Sequence, residues 1–110
     1  MKLPFADRAV VDLVKLSDYA LSPDHEEGKH KARVFAAALG IGREHANWLR
    51  DRLLEAAQTH ECVPGRRTKF GERYTIDFEL SRAGRSAMIR SCWMVRPGED
   101  FPRLTSCYVL

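Results

Sequence analysis

Arg73-Tyr74-Thr75-Ile76-Asp77-Phe78-Glu79-Leu80 alternates strictly between polar and apolar residues. Successive side chains of a strand point to opposite faces, so this stretch reads as a β-strand with one buried face. Downstream, Arg82-Ala83-Gly84-Arg85 supplies the small residues of a tight turn and leads into a second strand over about 86–96. In that strand Ala87, Ile89, Trp93 and Val95 share one face, and Met88, Arg90, Cys92, Met94 and Arg96 share the other. Pro97-Gly98-Glu99-Asp100-Phe101-Pro102 makes a longer turn before a last strand over 103–110, whose pattern does not reveal its buried face.

Upstream the period changes to that of helices. Asp12 reads as an N-cap for a helix over about 13–21, with Leu13, Leu16 and Ala20 on one stripe. Arg8-Ala9-Val10-Val11 before it reads as a short edge strand. Ser22 to Gly28 is a polar loop punctuated by Pro23 and Gly28. A second helix over about 29–39 carries Ala32, Phe35, Ala36 and Leu39 at core-facing spacing, and Gly40 ends it as a left-handed C-cap would. A third helix over about 43–60 buries Ala46, Leu49, Leu53, Ala56 and Ala57. Residues 66–71 read as a loop. Helices followed by hairpin strands predict an α+β fold: three N-terminal helices on one face of a C-terminal antiparallel sheet of three to four strands. A single domain spans 1–110, with its helical part about 12–60 and its sheet part about 72–110.

The composition suits that reading. The chain has 110 residues, of which 45% are apolar and 30% charged, which excludes wholesale disorder and collagen-like or membrane-spanning classes. Met1-Lys2-Leu3-Pro4-Phe5 runs into Asp7 and Arg8 without an apolar stretch, so no signal peptide is read there. With three cysteines and no CxxC pair, the expectation is a cytoplasmic protein with free thiols. Cys62, Cys92 and Cys107 and the four histidines are too scattered for a zinc site, and no cofactor motif is present.

Charge is unevenly placed. Acids and bases balance in residues 1–60, so the formal +3 sits in residues 61–110, where every cation except Lys69 is arginine. Arginine's planar fork matches phosphate and carboxylate oxygens. Three places could use it. Arg90 lies among Met88, Cys92 and Met94, so it either pairs across the sheet with Asp77 or Glu79 or meets an outside phosphate or carboxylate. The run His25-Glu26-Glu27-Gly28-Lys29-His30-Lys31 opens the second helix, where free N–H groups favour an anion; Lys29, Lys31 and Arg33 make a phosphate seat there, or simply a solvated helix start. Arg66-Arg67-Thr68-Lys69-Phe70-Gly71 mixes cations with an aromatic ring, as a grip on nucleic-acid backbone does.

Leu16-Ser17-Asp18-Tyr19-Ala20-Leu21-Ser22-Pro23-Asp24-His25, Gly28-Lys29-His30-Lys31-Ala32-Arg33-Val34-Phe35 and Ala38-Leu39-Gly40 resemble a family of small bacterial domains of unknown function. Phe70 to Asp77, Ile89 to Gly98 and Pro102 to Thr105 carry the same resemblance, which covers nearly the whole chain. Members of that family occur alone and as the last module of secreted toxins. That context is similar to the barnase/EndoU/colicin/RelE group of ribonucleases, and it implies metal-independent cleavage of RNA. The residues assigned to such chemistry are His30 as acid/base, Lys31 and Arg90 as phosphate-charge stabilisers, and Tyr74 or Thr105 as positioning hydroxyls. Lys29, Arg33, Arg66, Arg67, Lys69 and Arg96 are assigned to the RNA backbone. The alternative is a non-catalytic interaction protein, an antitoxin, immunity or operon partner, anchored through Trp48, Trp93 and Phe101 to a protein encoded nearby. Binding of a small anion at His30, Lys31 and Arg90 is a third class.

Overall fold

A computed structural model describes residues 1–110. It is an α+β domain with a four-stranded antiparallel sheet and three helices, the helices in the N-terminal half. Helix α1 (Leu13–Lys15) starts at Asp12, whose carboxylate accepts the Val14 N–H at 2.9 Å. It runs directly into a π-helical turn, Leu16–Ala20. Helix α2 spans Lys29–Leu39 and stops at Gly40 with φ 67°, the expected left-handed cap. A 3-10 turn, Arg43–His45, leads into α3 (Ala46–Thr59). No helix is long and apolar enough to cross a membrane.

The strands are β1 (Val63–Thr68), β2 (Gly71–Arg82), β3 (Arg85–Val95) and β4 (Pro102–Val109), in the order β1-β2-β3-β4. Ala83 and Gly84 turn between β2 and β3 with φ 51° and 80°, the backbone twist that a two-residue hairpin requires. Tyr74, Ile76, Phe78 and Leu80 are buried while Arg73, Asp77 and Glu79 are exposed, as the alternation predicted. They join Ile89, Trp93, Leu104 and Cys107 and the helix residues Leu16, Phe35, Leu39, Leu49 and Leu53 in one hydrophobic cluster. Arg82 and Arg85 tie that sheet to the helical half. Their guanidiniums donate to the carbonyls of Leu39, Gly40 and Ala37 at 3.4–3.5 Å, where the α2 dipole is negative.

Four expectations are corrected. The sheet begins at Val63, because residues read as a loop form β1 and only Lys69 and Phe70 turn. Its pairing with β2 slips between Pro64 and Arg67, which hides any period from the sequence. Residues 8–11 form no strand; Val10 alone bridges to Arg103 in parallel, donating to Pro102 O and accepting from Leu104 N. Ala36 is exposed and not core, since it lines a groove beside α2. Met94, expected on the open face with Met88, is buried.

Candidate functional site

The run from Asp18 to Lys31 folds into one wall of a cleft. Within the π-helical turn, a device often found at functional sites, Tyr19 is half-buried. The chain then reverses, and His25 Nδ1 accepts the backbone N–H groups of Glu27 (3.1 Å) and Gly28 (2.9 Å). Two donors on Nδ1 leave the ring proton on Nε2, so His25 presents a fixed N–H donor. Its ring stands edge-on to Tyr19, 4.6 Å between centroids. Gly28 passes so close to this turn that a Cβ there would lie 2.1 Å from the Tyr19 carbonyl oxygen.

The opposite wall is β4. Trp93 pairs with Leu104 but Cys92 pairs with Ser106, so Thr105 is an extra residue in the strand. Such bulges re-aim side chains and are common beside active sites. Here the bulge leaves Thr105 donating to the Cys92 carbonyl at 3.1 Å and puts Ser106 beside α2. Val14, Leu16, Tyr19 and His25 face Leu104, Thr105 and Ser106 across a cleft of about 390 Å³. That is the size of a small ligand site.

Lys31 sits at its edge. Its Nζ donates to Ser106 Oγ at 2.9 Å and Tyr19 Oη at 3.4 Å. It also lies 4.8 Å from the Tyr19 ring centroid and 5.5 Å from that of Tyr108, within cation–π range of both. Lys31 takes part in none of the ion pairs of the molecule. A half-buried ammonium beside two hydroxyls, with no carboxylate to neutralise it, can meet an anion.

Residues 2–110 match the family model described as a domain of unknown function, DUF6883. The chain belongs to that family. No curated protein matches it, and no solved structure does.

Around the cleft of this DUF6883 domain the sequence-assigned residues divide. His30 is exposed and lines a separate shallow recess with Lys31, Val34 and Tyr108, outside the cleft that holds His25. Arg90 points onto the open sheet face, where Nε and Nη2 donate to the two Asp77 oxygens at 2.8 Å each. That bond holds the Asp77 carboxyl below its ordinary value and pushes Arg90 up, with Tyr108 as the second contributor. Arg90 thus has its anion within the protein, and Tyr108 stands between it and Lys31. Tyr74 lies two strands from β4, opposite Pro64 and Trp93. Its hydroxyl donates to Glu72 at 2.7 Å, which with burial pushes the phenol up to about 12.

The assigned backbone contacts also divide. Lys29 and Arg33 rim the groove beside α2, with Arg43, Pro23 and Ile41. Arg67, Lys69 and Arg96 gather at the β1–β2 turn. Trp93, expected as a partner anchor, is 1% exposed, and its indole N–H is spent on Ser91 Oγ at 2.9 Å. Trp48 and Phe101 are half-buried beneath the guanidiniums of Arg82 and Arg103.

The sequence named Lys31 but assigned no role to Tyr19, His25 or Ser106. Ser106 lies 75 residues from Lys31 along the chain, and only the β4 bulge aims it there. His25 carried no signal either, because only the turn before α2 brings the Glu27 and Gly28 N–H groups onto its Nδ1.

Proposed function

We propose that this DUF6883 domain is a metal-independent ribonuclease whose cleft seats one phosphodiester group of RNA. The observation that carries the reading is Lys31, whose ammonium has hydroxyl and aromatic neighbours and no acidic partner. An anion of one or two charges with several acceptor oxygens satisfies that environment, and phosphate is such a group.

Each neighbour takes a role that its hydrogen bonds permit. His25, with Nδ1 occupied, donates its Nε2–H to a non-bridging phosphate oxygen and is not the base. His30, exposed beside Lys31 and in no hydrogen bond, takes the proton of the substrate's 2′-hydroxyl. The 2′-oxygen attacks phosphorus, Lys31 meets the charge growing on the non-bridging oxygens, and the bond from phosphorus to the 5′-oxygen breaks. Tyr19 protonates that leaving oxygen, and the proton on His30 restores it through solvent. The products are a 2′,3′-cyclic phosphate and a free 5′-hydroxyl.

The test is cleavage of end-labelled RNA under single-turnover conditions. Lys31→Met lowers the rate by about 100-fold or more, as loss of a charge-stabilising donor does. His30→Ala lowers it by a similar ~10²–10⁴-fold, and Arg90→Ala leaves it near wild type. A substrate lacking the 2′-hydroxyl at the scissile position is not cut. Intact RNA across neutral pH, or equal cutting by Lys31→Met, refutes the reading.

A further inference from the structure

At the opposite side of the sheet from the cleft's strand, the β1–β2 turn carries an exposed aromatic ring and a cation, and a second exposed ring lines the recess beside it. Phe70 is 62% exposed at the tip, with Lys69 Nζ 5.2 Å from its ring centroid. Beside the turn, Phe5, Arg67, Lys69 and Arg96 line a recess of about 370 Å³. Phe5 is 48% exposed and held at φ 55°, a left-handed conformation that phenylalanine rarely adopts. Arg66, Lys69 and Arg96 join no ion pair, whereas the one acid lining this recess, Glu72, is already paired with Arg67 and accepts from the Tyr74 hydroxyl.

We infer that this tip is a grip for single-stranded RNA. Exposed rings accept the faces of unstacked bases, and unpaired cations beside them follow the phosphates. A duplex hides its base faces, so the arrangement favours single strands. The choice of RNA as the polymer rests on the reading of the cleft, whereas the grip itself rests only on the tip. The tip's side chains are outside the core cluster, so their replacement leaves the fold intact.

The experiment is fluorescence anisotropy of the full chain with a labelled 2′-O-methyl RNA of about ten nucleotides, within the usual site sizes and resistant to cutting. Phe70→Ser weakens binding by about tenfold, the loss of one stacked base. Lys69→Ser with Arg96→Ser flattens the plot of log affinity against log salt by ~1.4, about 0.7 for each lost phosphate contact. The same variants cut a dinucleotide, which fills only the cleft, as fast as wild type. Variants that bind the oligonucleotide like wild type, or a duplex bound as tightly as the single strand, would overturn the inference. Tip-dependent binding without dinucleotide cleavage would overturn the cleft chemistry and leave the grip standing.

Discussion

Replacing Gly28 with alanine is expected to destabilise the domain, although backbone preference alone predicts the reverse. Gly28 has φ −73° and ψ −21°, ordinary right-handed values at the N-cap of α2. With such dihedrals, Gly→Ala gains roughly 0.4–1 kcal/mol by restricting the unfolded chain. Space decides otherwise. The added methyl would lie 2.1 Å from the Tyr19 oxygen and 2.7 Å from its carbonyl carbon, and both are backbone atoms that no rotamer change can move. Relief requires the start of α2 to part from the π-helical turn by on the order of 1 Å, and overpacking of that kind costs ~1–3 kcal/mol. The net loss is about 1–2 kcal/mol, or a fall in Tm of roughly 4–12 °C for a domain of this size. The same displacement draws Tyr19 and His25 away from Lys31, so anion binding should weaken with stability. Thermal and urea unfolding measure the first effect. Gly98→Ala is the control, because a Cβ there meets nothing within 4 Å and only its φ of 79° opposes substitution. A Gly28→Ala protein as stable as wild type, or more so, would refute the reasoning.

Three further outcomes follow from buried and paired groups. Ser91 is fully buried, accepts the Trp93 indole N–H and donates to the Ile76 carbonyl, both at 2.9 Å. Ser91→Ala strands both partners and should cost ~1–3 kcal/mol in urea unfolding. The Tyr74 phenol, raised from 10.0 to about 12, is protonated in the folded chain at pH values where the unfolded chain has lost its proton. Stability should therefore fall between pH 10 and pH 12 by up to ~2 kcal/mol, and Tyr74→Phe should remove that slope from alkaline unfolding curves. Asp77 and Glu99 are held below their ordinary values of 3.8 and 4.5 by hydrogen bonds from Arg90 and Arg103. The stabilisation they give is present above those values and is lost as pH falls through the lowered ones, so Asp77→Asn with Glu99→Gln should flatten the acid limb of a Tm-against-pH plot.

Most of the architecture was legible because two periods are clean. Tyr74 to Leu80 alternates without a break, and the α3 stripe from Ala46 to Ala57 is buried at every expected position. Where the pattern failed, a local irregularity was responsible. In β4, Leu104 and Cys107 are both buried though three residues apart, because Thr105 is a bulge that shifts the alternation. Strand β1 has Pro64, Gly65 and a register slip, and most of its side chains are exposed, so no apolar alternation marks it. For the candidate site, the His25–Lys31 run was visible as chemistry, yet its geometry was not. Which histidine keeps a free ring nitrogen depends on the backbone turn that occupies His25 Nδ1. For Arg90 the sequence offered two alternatives, and the cross-strand pairing with Asp77 is the one that forms.

Everything proposed for the cleft depends on the Lys31 ammonium being where this domain receives an anion. Titration of the ¹⁵N-labelled protein with a nucleoside 3′-phosphate, followed by amide chemical shifts, addresses it most directly. Saturable shifts are expected at Tyr19, His25, Lys31 and Ser106, and they should vanish in Lys31→Met. Shifts that leave these four residues unmoved, or that persist in Lys31→Met, would contradict it.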